Sequence, residues 1–487
     1  MGKQPNVIFF LVDDLGWSDL SCYGSGFYET PNIDRLCAEG LRFSDAYAAC
    51  PVCSPTRASI LSGKYPATVG VTNFIDWIGR SHPNRGKLVD VSYFRELPLT
   101  EKSLARGLGK NGYSTWHVGK WHLGGPGAYP ERHGFDVNYG GWQAGLPMNG
   151  YFSPFEFPTL DEPAADGTYL TDYLTDMAAE LIETRAGSER PFFLNMWYYT
   201  VHTPIQAKVD DVEYFRKKAK ALGLEAKNPF EEGNFQPGEH RKDVRITRRL
   251  FQSDPVYAAM IHSLDQSVGR ILQAVQDSGE EENTLVIFTS DNGGESSTAG
   301  SPTCNAPLSE GKGWMYEGGT RVPLIVRWPG VTQPDTETAV PVTSPDFYPT
   351  ILEAASLPLD PHQHTDGYSF LPLLRGEAWI RPRPIFAHFP HYGNQGGTPG
   401  AYIRDGNFKL IEFFEDSHIE LYNLREDVGE ERNLASTMPD KAAALQKALR
   451  AWQAEIEAAI PVPNPDYVEW PEREPCAHYP AGTGPEV

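Results

Sequence analysis

The chain has 487 residues, of which 64 are acidic and 42 are basic, and its net charge at pH 7 is −22. This charge disfavours a nucleic-acid partner, because binding to a phosphate backbone depends on basic side chains. No apolar run approaches the ~18 residues that a membrane-spanning helix needs, and the length predicts one large domain with a smaller one attached.

The first residues lead directly into a strand-like apolar run, and they lack the basic, apolar and cleavage regions of a signal peptide. We expect a protein exported to the periplasm or the extracellular space, with its signal peptide absent from this sequence. A cytoplasmic protein is the alternative if the sequence is complete. The six cysteines are sparse and irregular for a disulfide framework, which favours free thiols for most of them.

Three short apolar runs end abruptly in polar residues. They are Asn6–Val12 before Asp13 and Asp14, 191–197 before His202, and 284–289 before Ser290, Asp291 and Asn292. Runs of this kind are typical of parallel strands that are buried on both faces. Because ligands bind beyond the carboxyl ends of such strands, we expect these polar side chains to meet in one place.

Helical patterns over 100–111, 168–185 and 254–278 alternate with the strands. This alternation predicts an α/β fold, in which helices sandwich a large mixed, mostly parallel sheet. The polar segment 205–253 is predicted to run over the surface.

After about residue 375, short strand-like segments replace the alternation of strands and helices. Four short strands are predicted at 385–389, 400–404, 408–414 and 419–423, with a hairpin turn at Asp405-Gly406, a helix near 439–459 and a Pro-rich tail over 461–487. We therefore predict a catalytic α/β domain over 1–375 and a smaller C-terminal α+β subdomain with an antiparallel sheet over 376–487.

The most specific segment is Cys53-Ser54-Pro55-Thr56-Arg57. Ser54 is predicted to cap a helix that Gly63 ends, with Pro55 in the first turn. Cys53 would then lie at a helix N-terminus, where backbone N–H groups favour an anion, and Arg57 would project from the same face. Taken alone, this segment is equally compatible with a surface helix beside an incidental thiol.

Further motifs follow the same order as in a known family. They are Asn6–Asp14, Thr30–Leu36, Gly119–Gly124 with Lys120 and His122, His202–Pro204, Ser290–Gly294, and Gly311–Trp314 followed by Glu317–Pro323. Together with Cys53–Arg57, they resemble the type I, formylglycine-dependent sulfatases of the alkaline phosphatase superfamily, which include bacterial glycan sulfatases and arylsulfatases. No position that is catalytic in the family departs from its pattern.

The predicted metal ligands are all oxygen donors. Asp13, Asp14, Asp291 and Asn292 suit a hard cation, Ca²⁺ or Mg²⁺. The resemblance implies calcium, with one oxygen of the modified Cys53 completing the ligand set. Arg57, Lys120 and Lys312 together with the cation outweigh the three carboxylates in charge, so an acidic protein could still hold a sulfate group here.

The resemblance also implies a mechanism. A maturation enzyme would oxidise Cys53 to formylglycine, and one hydroxyl of its hydrate would attack sulfur and displace the alcohol. Deprotonation of the second hydroxyl would then expel sulfate and restore the aldehyde. By position, Arg57 would hold the hydrate, Lys120 would bridge hydrate and sulfate, and His122 would be the base. His202 and Lys312 would bind sulfate and protonate the leaving oxygen.

The sequence is less informative about the substrate. Asn73, Trp77, Trp142, His388 and His391 are candidates for contacts to a sugar, although packing roles fit them equally well. We expect a sulfated carbohydrate, cleaved at a chain end, with a homo-oligomer possible. The alternatives are a promiscuous arylsulfatase, a phosphodiester or phosphonate monoester hydrolase of the same superfamily, and a glycan-binding protein in which Cys53 is unmodified.

Overall fold

The computed structural model describes residues 3–76, 86–160, 164–185, 187–236, 243–298 and 300–467. Its strands, numbered in chain order, form a large sheet, a four-stranded sheet and two small pairs. The large sheet contains β1 (Asn6–Val12), β2 (Leu41–Tyr47), β4 (Ser114–Gly119), β5 (Val137–Tyr139), β6 (Phe192–Trp197), β9 (Thr284–Ser290), β10 (Arg321–Arg327), β11 (Thr336–Thr338) and β12 (Val342–Thr343). The four-stranded sheet contains β13 (Ile385–Phe389), β14 (Gly400–Asp405), β15 (Phe408–Phe413) and β16 (Ile419–Asn423). The pairs are β3 (Leu88–Val89) with β17 (Val462–Pro463), and β7 (Phe230–Phe235) with β8 (Arg245–Arg249).

The helices are numbered in the same way. They are α1 (Pro31–Ala38), α2 (Cys53–Ser62), α3 (Pro66–Val69), α4 (Leu104–Gly109), α5 (Leu170–Thr184), α6 (Val209–Ala221), α7 (Pro255–Asp277), α8 (Glu317–Thr320), α9 (Phe347–Ala354), α10 (Leu371–Leu374) and α11 (Pro439–Glu455). No helix within the described ranges is long and apolar enough to cross a membrane.

The large sheet has the order β11-β2-β10-β9-β1-β6-β4-β5, and β12 also pairs with β2. β1 lies between β6 and β9 and is parallel to both. β10 runs antiparallel to its neighbours β2 and β9. The predicted mixed, mostly parallel sheet is therefore confirmed, and its three predicted central strands are adjacent.

Both faces of this sheet are buried. Ile8, Phe10 and Val12 of β1 pack on one face with apolar residues of α1, α5, α6 and α7. The alternate residues of β1 pack on the other face with α2, α4, α9 and α10. This two-sided burial explains why β1 is apolar at every position rather than at every second one.

The C-terminal strands form an antiparallel meander, as predicted. β14 and β15 are joined at Asp405-Gly406, where Gly406 takes a φ of 58° that suits glycine. One face of this sheet packs on α11, which ends at Glu455 rather than near 459. The other face packs against Tyr47 and Met315 of the preceding part of the chain. The domain boundary at 375 stays a prediction.

The prediction for segment 205–253 was only partly right. The described residues of the segment are mostly exposed or half-buried, but α6 places Phe215 and Ala219 in the main core. Only these two residues, one helical turn apart, are buried in a helix that is otherwise polar and charged. The sequence pattern therefore did not indicate a contact with the core. Of the predicted Pro-rich tail, residues 468–487 lie outside the described residues.

Candidate active site

The carboxyl ends of β1 and β9 bring four oxygen-bearing side chains together. Val12 is in register with Ser290, so Asp13 and Asp14 emerge beside Asp291 and Asn292. The Asp14 amide donates to Asp291 Oδ1 at 3.2 Å, and Asn292 Nδ2 donates to Asp14 Oδ1 at 2.8 Å. All four residues are buried. The sheet register therefore makes one cluster from residues that are far apart in sequence.

Cys53 is the first residue of α2, and it is buried beside this cluster. A carboxylate oxygen of Asp13, one of Asp291 and the Cys53 sulfur all lie within 4.8 Å of one another. The Cys53 Sγ is 3.3 Å from Nδ1 of His122. Burial raises the pKa of the Cys53 thiol, although Lys120 and Lys312 oppose this, so the residue is held as a neutral thiol.

The predicted capping role of Ser54 was wrong. Helix α2 begins at Cys53, and Val52 precedes it without a side-chain cap. Ser54 Oγ instead donates to the carbonyl of His122 at 2.9 Å and accepts from the amide of Ile75 at 3.0 Å. The hydroxyl thus joins α2 to two other segments of the site. The predicted helix end at Gly63 is confirmed, with a φ of 70°.

His122 faces Cys53 in a defined tautomer. Its Nε2 lies 2.9 Å from the carbonyl of Ile75, which can only accept, so Nε2 carries the proton. Burial lowers the pKa of His122 well below its usual value, and Lys120 lowers it further. The ring is therefore neutral, and the lone pair of Nδ1 is directed at the Cys53 side chain.

Arg57 is fully buried beneath the cluster. Its Nε and Nη2 contact Asp291 Oδ2 at 2.9 and 2.7 Å, and its Nη1 donates to the carbonyl of Lys120 at 2.9 Å. The guanidinium also lies over the ring of Trp197, at 5.2 Å from the centroid. Arg57 thereby fixes both Asp291 and the segment that carries Lys120 and His122.

Two lysines each pair with one aspartate of the metal motif. Lys120 Nζ is 2.6 Å from Asp13 Oδ2, and Lys312 Nζ is 2.7 Å from Asp14 Oδ2. Burial opposes the charge of Lys312, but the neighbouring Asp14, Cys53 and Asp13 together outweigh burial and raise the pKa of the ammonium. His202 Nε2 lies 3.6 Å from the same Asp14 oxygen, while its Nδ1 donates to the carbonyl of Thr203 at 2.9 Å.

The oxygen atoms of the cluster fit a hard cation. Asp13 Oδ1 and Asn292 Oδ1 are both buried, and neither accepts a hydrogen bond from the protein. Burial raises the pKa of Asp13 despite the nearby Lys120, and the neighbouring Asp291 and Asp14 carboxylates raise it further. A divalent cation would relieve this repulsion and satisfy the two unpaired oxygens.

Four of the predicted sugar-contacting residues have protein partners. His388 was predicted to bind substrate, but Nδ1 contacts Gln453 Nε2 at 3.2 Å and Nε2 donates to the carbonyl of Ala459 at 3.0 Å. Both ring nitrogens thus have partners in α11 and in the segment that follows it, and the substrate-binding role of His388 stays a prediction. His391 is likewise held, with Nε2 at 2.8 Å from Thr72 Oγ1 and Nδ1 against the Asp90 carboxylate.

Trp142 is buried in the main core against Phe157, and its carbonyl accepts from the amide of His122 at 3.1 Å. This position supports the site from behind and leaves the ring away from the surface. Asn73 is also buried, and its Oδ1 accepts from the amide of Phe74 at 2.8 Å. Trp77 lies outside the described residues.

Sequence reasoning missed Asp19 and Tyr257. Tyr257 Oη donates to Asp19 Oδ2 at 2.8 Å and lies 3.3 Å from the carbonyl of Asp14. Asp19 also accepts from the amide of Gly16 at 2.9 Å and from Thr303 Oγ1 at 2.6 Å. These contacts hold the turn after β1, and the only sequence signal was a further acidic residue shortly after Asp14.

The fold and the strand-end cluster together define a hydrolase of the alkaline phosphatase superfamily. The sulfatase family model matches residues 5–357, and a model described as the C-terminal part of N-sulphoglucosamine sulphohydrolase matches residues 310–457. Because the first match covers well over half of the chain, the protein belongs to the sulfatase family, and it is a sulfuric ester hydrolase.

Individual relatives agree with this assignment. A protein named sulfatase from Formosa agariphila is 32% identical, over 98% of this chain and 94% of its own length. Human arylsulfatase A is 30% identical over the same shares of the two chains. Among solved structures, that of Ps i-CgsB in complex with k-i-k-neocarrahexaose superposes with a TM-score of 0.74 and 29% identity, and the match covers 92% of each chain.

Proposed function

We propose that the protein removes sulfate from a sulfated carbohydrate, acting at a chain end through a formylglycine made from Cys53 and a bound calcium ion. The observation that carries this proposal is the position of the Cys53 side chain. It lies at the start of α2, 3.3 Å from a neutral His122 nitrogen and beside the Asp13 and Asp291 carboxylates. A covalent nucleophile needs a base on one side, which His122 would provide. On the other side it needs charged groups that hold it in place, which the Asp13 and Asp291 carboxylates would provide with the bound ion.

Asp13, Asp14, Asp291, Asn292 and an oxygen of the modified Cys53 would hold the calcium ion. The ion would supply positive charge that stabilises the sulfate oxygens as the ester bond breaks. Calcium is favoured over magnesium because it accepts a larger and less regular set of oxygen ligands.

Removing the calcium ion with a chelator should lower both the activity and the melting temperature, and calcium should restore both better than magnesium.

The protein side chains would divide the proton transfers between them. His122 Nδ1 would accept the proton of the hydrated aldehyde in the step that releases sulfate. Lys312 and His202, which share Asp14, would bind the sulfate and donate a proton to the leaving oxygen. Lys120 would bridge the hydrate and the sulfate. Arg57 uses three nitrogens on Asp291 and the Lys120 carbonyl, so we assign it mainly to orienting these groups, beside its contact to the hydrate.

A carbohydrate substrate is supported by similarity. Ps i-CgsB was solved in complex with k-i-k-neocarrahexaose, and the C-terminal family model bears the name N-sulphoglucosamine sulphohydrolase. Action at a chain end is supported by depth, because Cys53 and Lys312 expose only 3% and 7% of their surface. A terminal sugar can enter such a site more readily than the middle of a chain can.

Two substitutions test the role of Cys53. Cys53→Ala should abolish hydrolysis of an aryl sulfate while the protein remains folded. Cys50→Ala is the matched control, because Cys50 is a buried thiol three residues earlier and should be dispensable. Equal activity of the two variants would contradict the proposal.

The alternative of a phosphodiester or phosphonate monoester hydrolase is tested with matched aryl sulfate and aryl phosphate esters. Faster turnover of the phosphate ester would favour that alternative.

A further inference from the structure

Gly145 packs against the imidazole ring of His122. A methyl group built on Gly145 would lie 2.7 Å from Nε2 of the ring, 2.8 Å from Nδ1 and closer still to Cε1, which lies between them. Because the two nitrogens are nearly as close as Cε1, the methyl group would lie over the face of the ring rather than in its plane. Ordinary contacts between carbon atoms are about 3.5–4.0 Å. Only a residue without a side chain therefore leaves room for the ring at this position.

The ring cannot move without losing other contacts. Its Nε2 donates to the carbonyl of Ile75 at 2.9 Å, and its Nδ1 lies 3.3 Å from the Cys53 sulfur. The backbone of His122 is held as well, because its amide donates to the carbonyl of Trp142 at 3.1 Å. The contact with Gly145 thus closes off one face of a ring whose two nitrogens are already used.

The segment that carries Gly145 is also fixed. At Gly141, the amide donates to Asn138 Oδ1 at 3.0 Å and the carbonyl accepts from Asn138 Nδ2 at 2.9 Å. Ala144 is buried in the main core. The residue directly before Gly145 therefore cannot move away from the ring without opening that core. A side chain added at Gly145 should displace the His122 ring rather than the segment.

We propose that Gly145 is a positioning residue of the reaction, because its missing side chain lets the His122 ring reach the Cys53 side chain. This inference rests on the proposed function, in which His122 accepts a proton as sulfate is released. In Gly145→Ala the ring would be displaced by about 1 Å. A displacement of this size can slow a proton transfer about 100-fold, since the transfer depends on the alignment of the two groups.

Steady-state kinetics with an aryl sulfate test the proposal. In Gly145→Ala, kcat should fall about 10–100-fold. The ratio kcat/KM reports only the steps up to loss of the alcohol, in which His122 has no assigned role, so it should change less than about threefold. An equal loss in kcat and kcat/KM would indicate a general disturbance of the site and would overturn the proposal. Rates are expressed per molecule that carries formylglycine, counted from the mass of the tryptic peptide Phe43–Arg57.

Gly127→Ala is the matched control. Gly127 is exposed on the segment that follows His122, and a methyl group built there meets no described atom within 4 Å outside the adjoining residues. This variant should keep the wild-type kcat. A loss of kcat in Gly127→Ala equal to that in Gly145→Ala would overturn the proposal, as would an unchanged kcat in Gly145→Ala.

Removal of the ring provides the second arm. In His122→Ala the methyl group of Gly145→Ala has no ring to meet, so the double variant should match His122→Ala in both kcat and melting temperature. A further loss in the double variant would overturn the proposal. If Gly145→Ala alone fails to fold, folding of the double variant supports the clash with the ring, and failure of the double variant to fold overturns it.

His122→Ala also separates this inference from the proposed function. Loss of kcat in His122→Ala together with a wild-type kcat in Gly145→Ala would overturn the inference alone. A wild-type kcat in His122→Ala would contradict the proposed base, and the inference with it.

Discussion

Tyr257 and Asp19 show how single residues outside the predicted ligand set shape the site. The Tyr257 hydroxyl reaches both Asp19 and the carbonyl of Asp14, and Asp19 in turn holds the amide of Gly16. The turn that carries Asp13 and Asp14 is thus fixed from behind. Groups that orient metal ligands in this way commonly change metal affinity when they are removed.

Tyr257→Phe should therefore weaken calcium binding about tenfold, because it deletes the shared hydroxyl and retains the ring. The measurement is the calcium concentration that gives half of the maximal rise in melting temperature. Tyr198→Phe is the matched control, since Tyr198 is a buried tyrosine of the same core whose hydroxyl bonds to Ser267. An equal shift in both variants would contradict a specific role for Tyr257.

The sequence predicts which residues cluster at the strand ends better than it predicts the residues that support them. Asp13, Asp14, Asp291 and Asn292 could be found because strand ends carry a local signal. Asp19 and Tyr257 could not be paired, because their contact depends on how α7 packs against the turn. The partners of His388 could not be predicted either, because Gln453 and Ala459 belong to a helix and a segment distant in sequence.

At the scale of elements, α2 is joined to two other parts of the site by Ser54. The start and end of α2 could be predicted from Cys53–Arg57 and Gly63, but the role of Ser54 could not. A serine beside a helix start ordinarily acts as a cap. Here its hydroxyl meets the carbonyl of His122 and the amide of Ile75 only because the fold brings those segments together.

Ser54→Ala should destabilise the protein by about 1–3 kcal/mol, because it leaves the buried amide of Ile75 without an acceptor. It should also lower turnover, because His122 loses one of its tethers. Ser59→Ala is the matched control, as Ser59 is buried in the same helix and its Oγ has no hydrogen-bond partner. Chemical denaturation measures the free energy of unfolding of both variants. Equal losses of stability in Ser54→Ala and Ser59→Ala would count against the tether.

A buried ionic cluster joins α8 to the C-terminal sheet. Lys409 Nζ of β15 lies 2.9 Å from Glu317 Oε1 and 2.9 Å from Glu430 Oε1. Glu317 is also paired with Arg321 at 3.2 Å. Burial, together with the nearby Glu317, raises the pKa of Glu430 to about 8. Lys409 therefore cannot neutralise both carboxylates at once.

This shift predicts a pH-dependent difference between the wild type and Glu430→Gln. Below the ordinary pKa of 4.5, Glu430 is protonated in both the folded and the unfolded chain. From there up to about pH 8, the unfolded chain releases the proton while the folded chain retains it, so wild-type stability falls relative to the variant. Urea denaturation across this range measures the difference, and a constant difference would refute the shift.

At the scale of the whole molecule, a strongly acidic chain places three basic side chains at the site proposed to bind sulfate. The net charge of −22 should repel a sulfated substrate at long range, whereas Arg57, Lys120 and Lys312 would attract it once it enters under the proposed roles. The α/β architecture and the convergence of strand ends could be predicted from apolar runs and their alternation with helices. The order of strands could not, because no local pattern fixes which strands become neighbours.

Raising the ionic strength with sodium chloride from ~10 to ~150 mM should increase kcat/KM for a sulfated oligosaccharide about twofold. Screening shortens the reach of the repulsion between protein and substrate, while the ion pairs inside the buried site are screened less. An uncharged competitor sugar serves as the control for general salt effects. A decrease in kcat/KM over this range would show that local attraction dominates the approach.

The proposed catalysis depends on the conversion of Cys53 to formylglycine. Trypsin releases Phe43–Arg57, and its mass reports whether Cys53 is a thiol or an aldehyde. Across preparations made with and without a maturation enzyme, the rate of aryl sulfate hydrolysis should be proportional to the aldehyde fraction of this peptide. Full activity in protein whose Cys53 is entirely thiol would contradict the account.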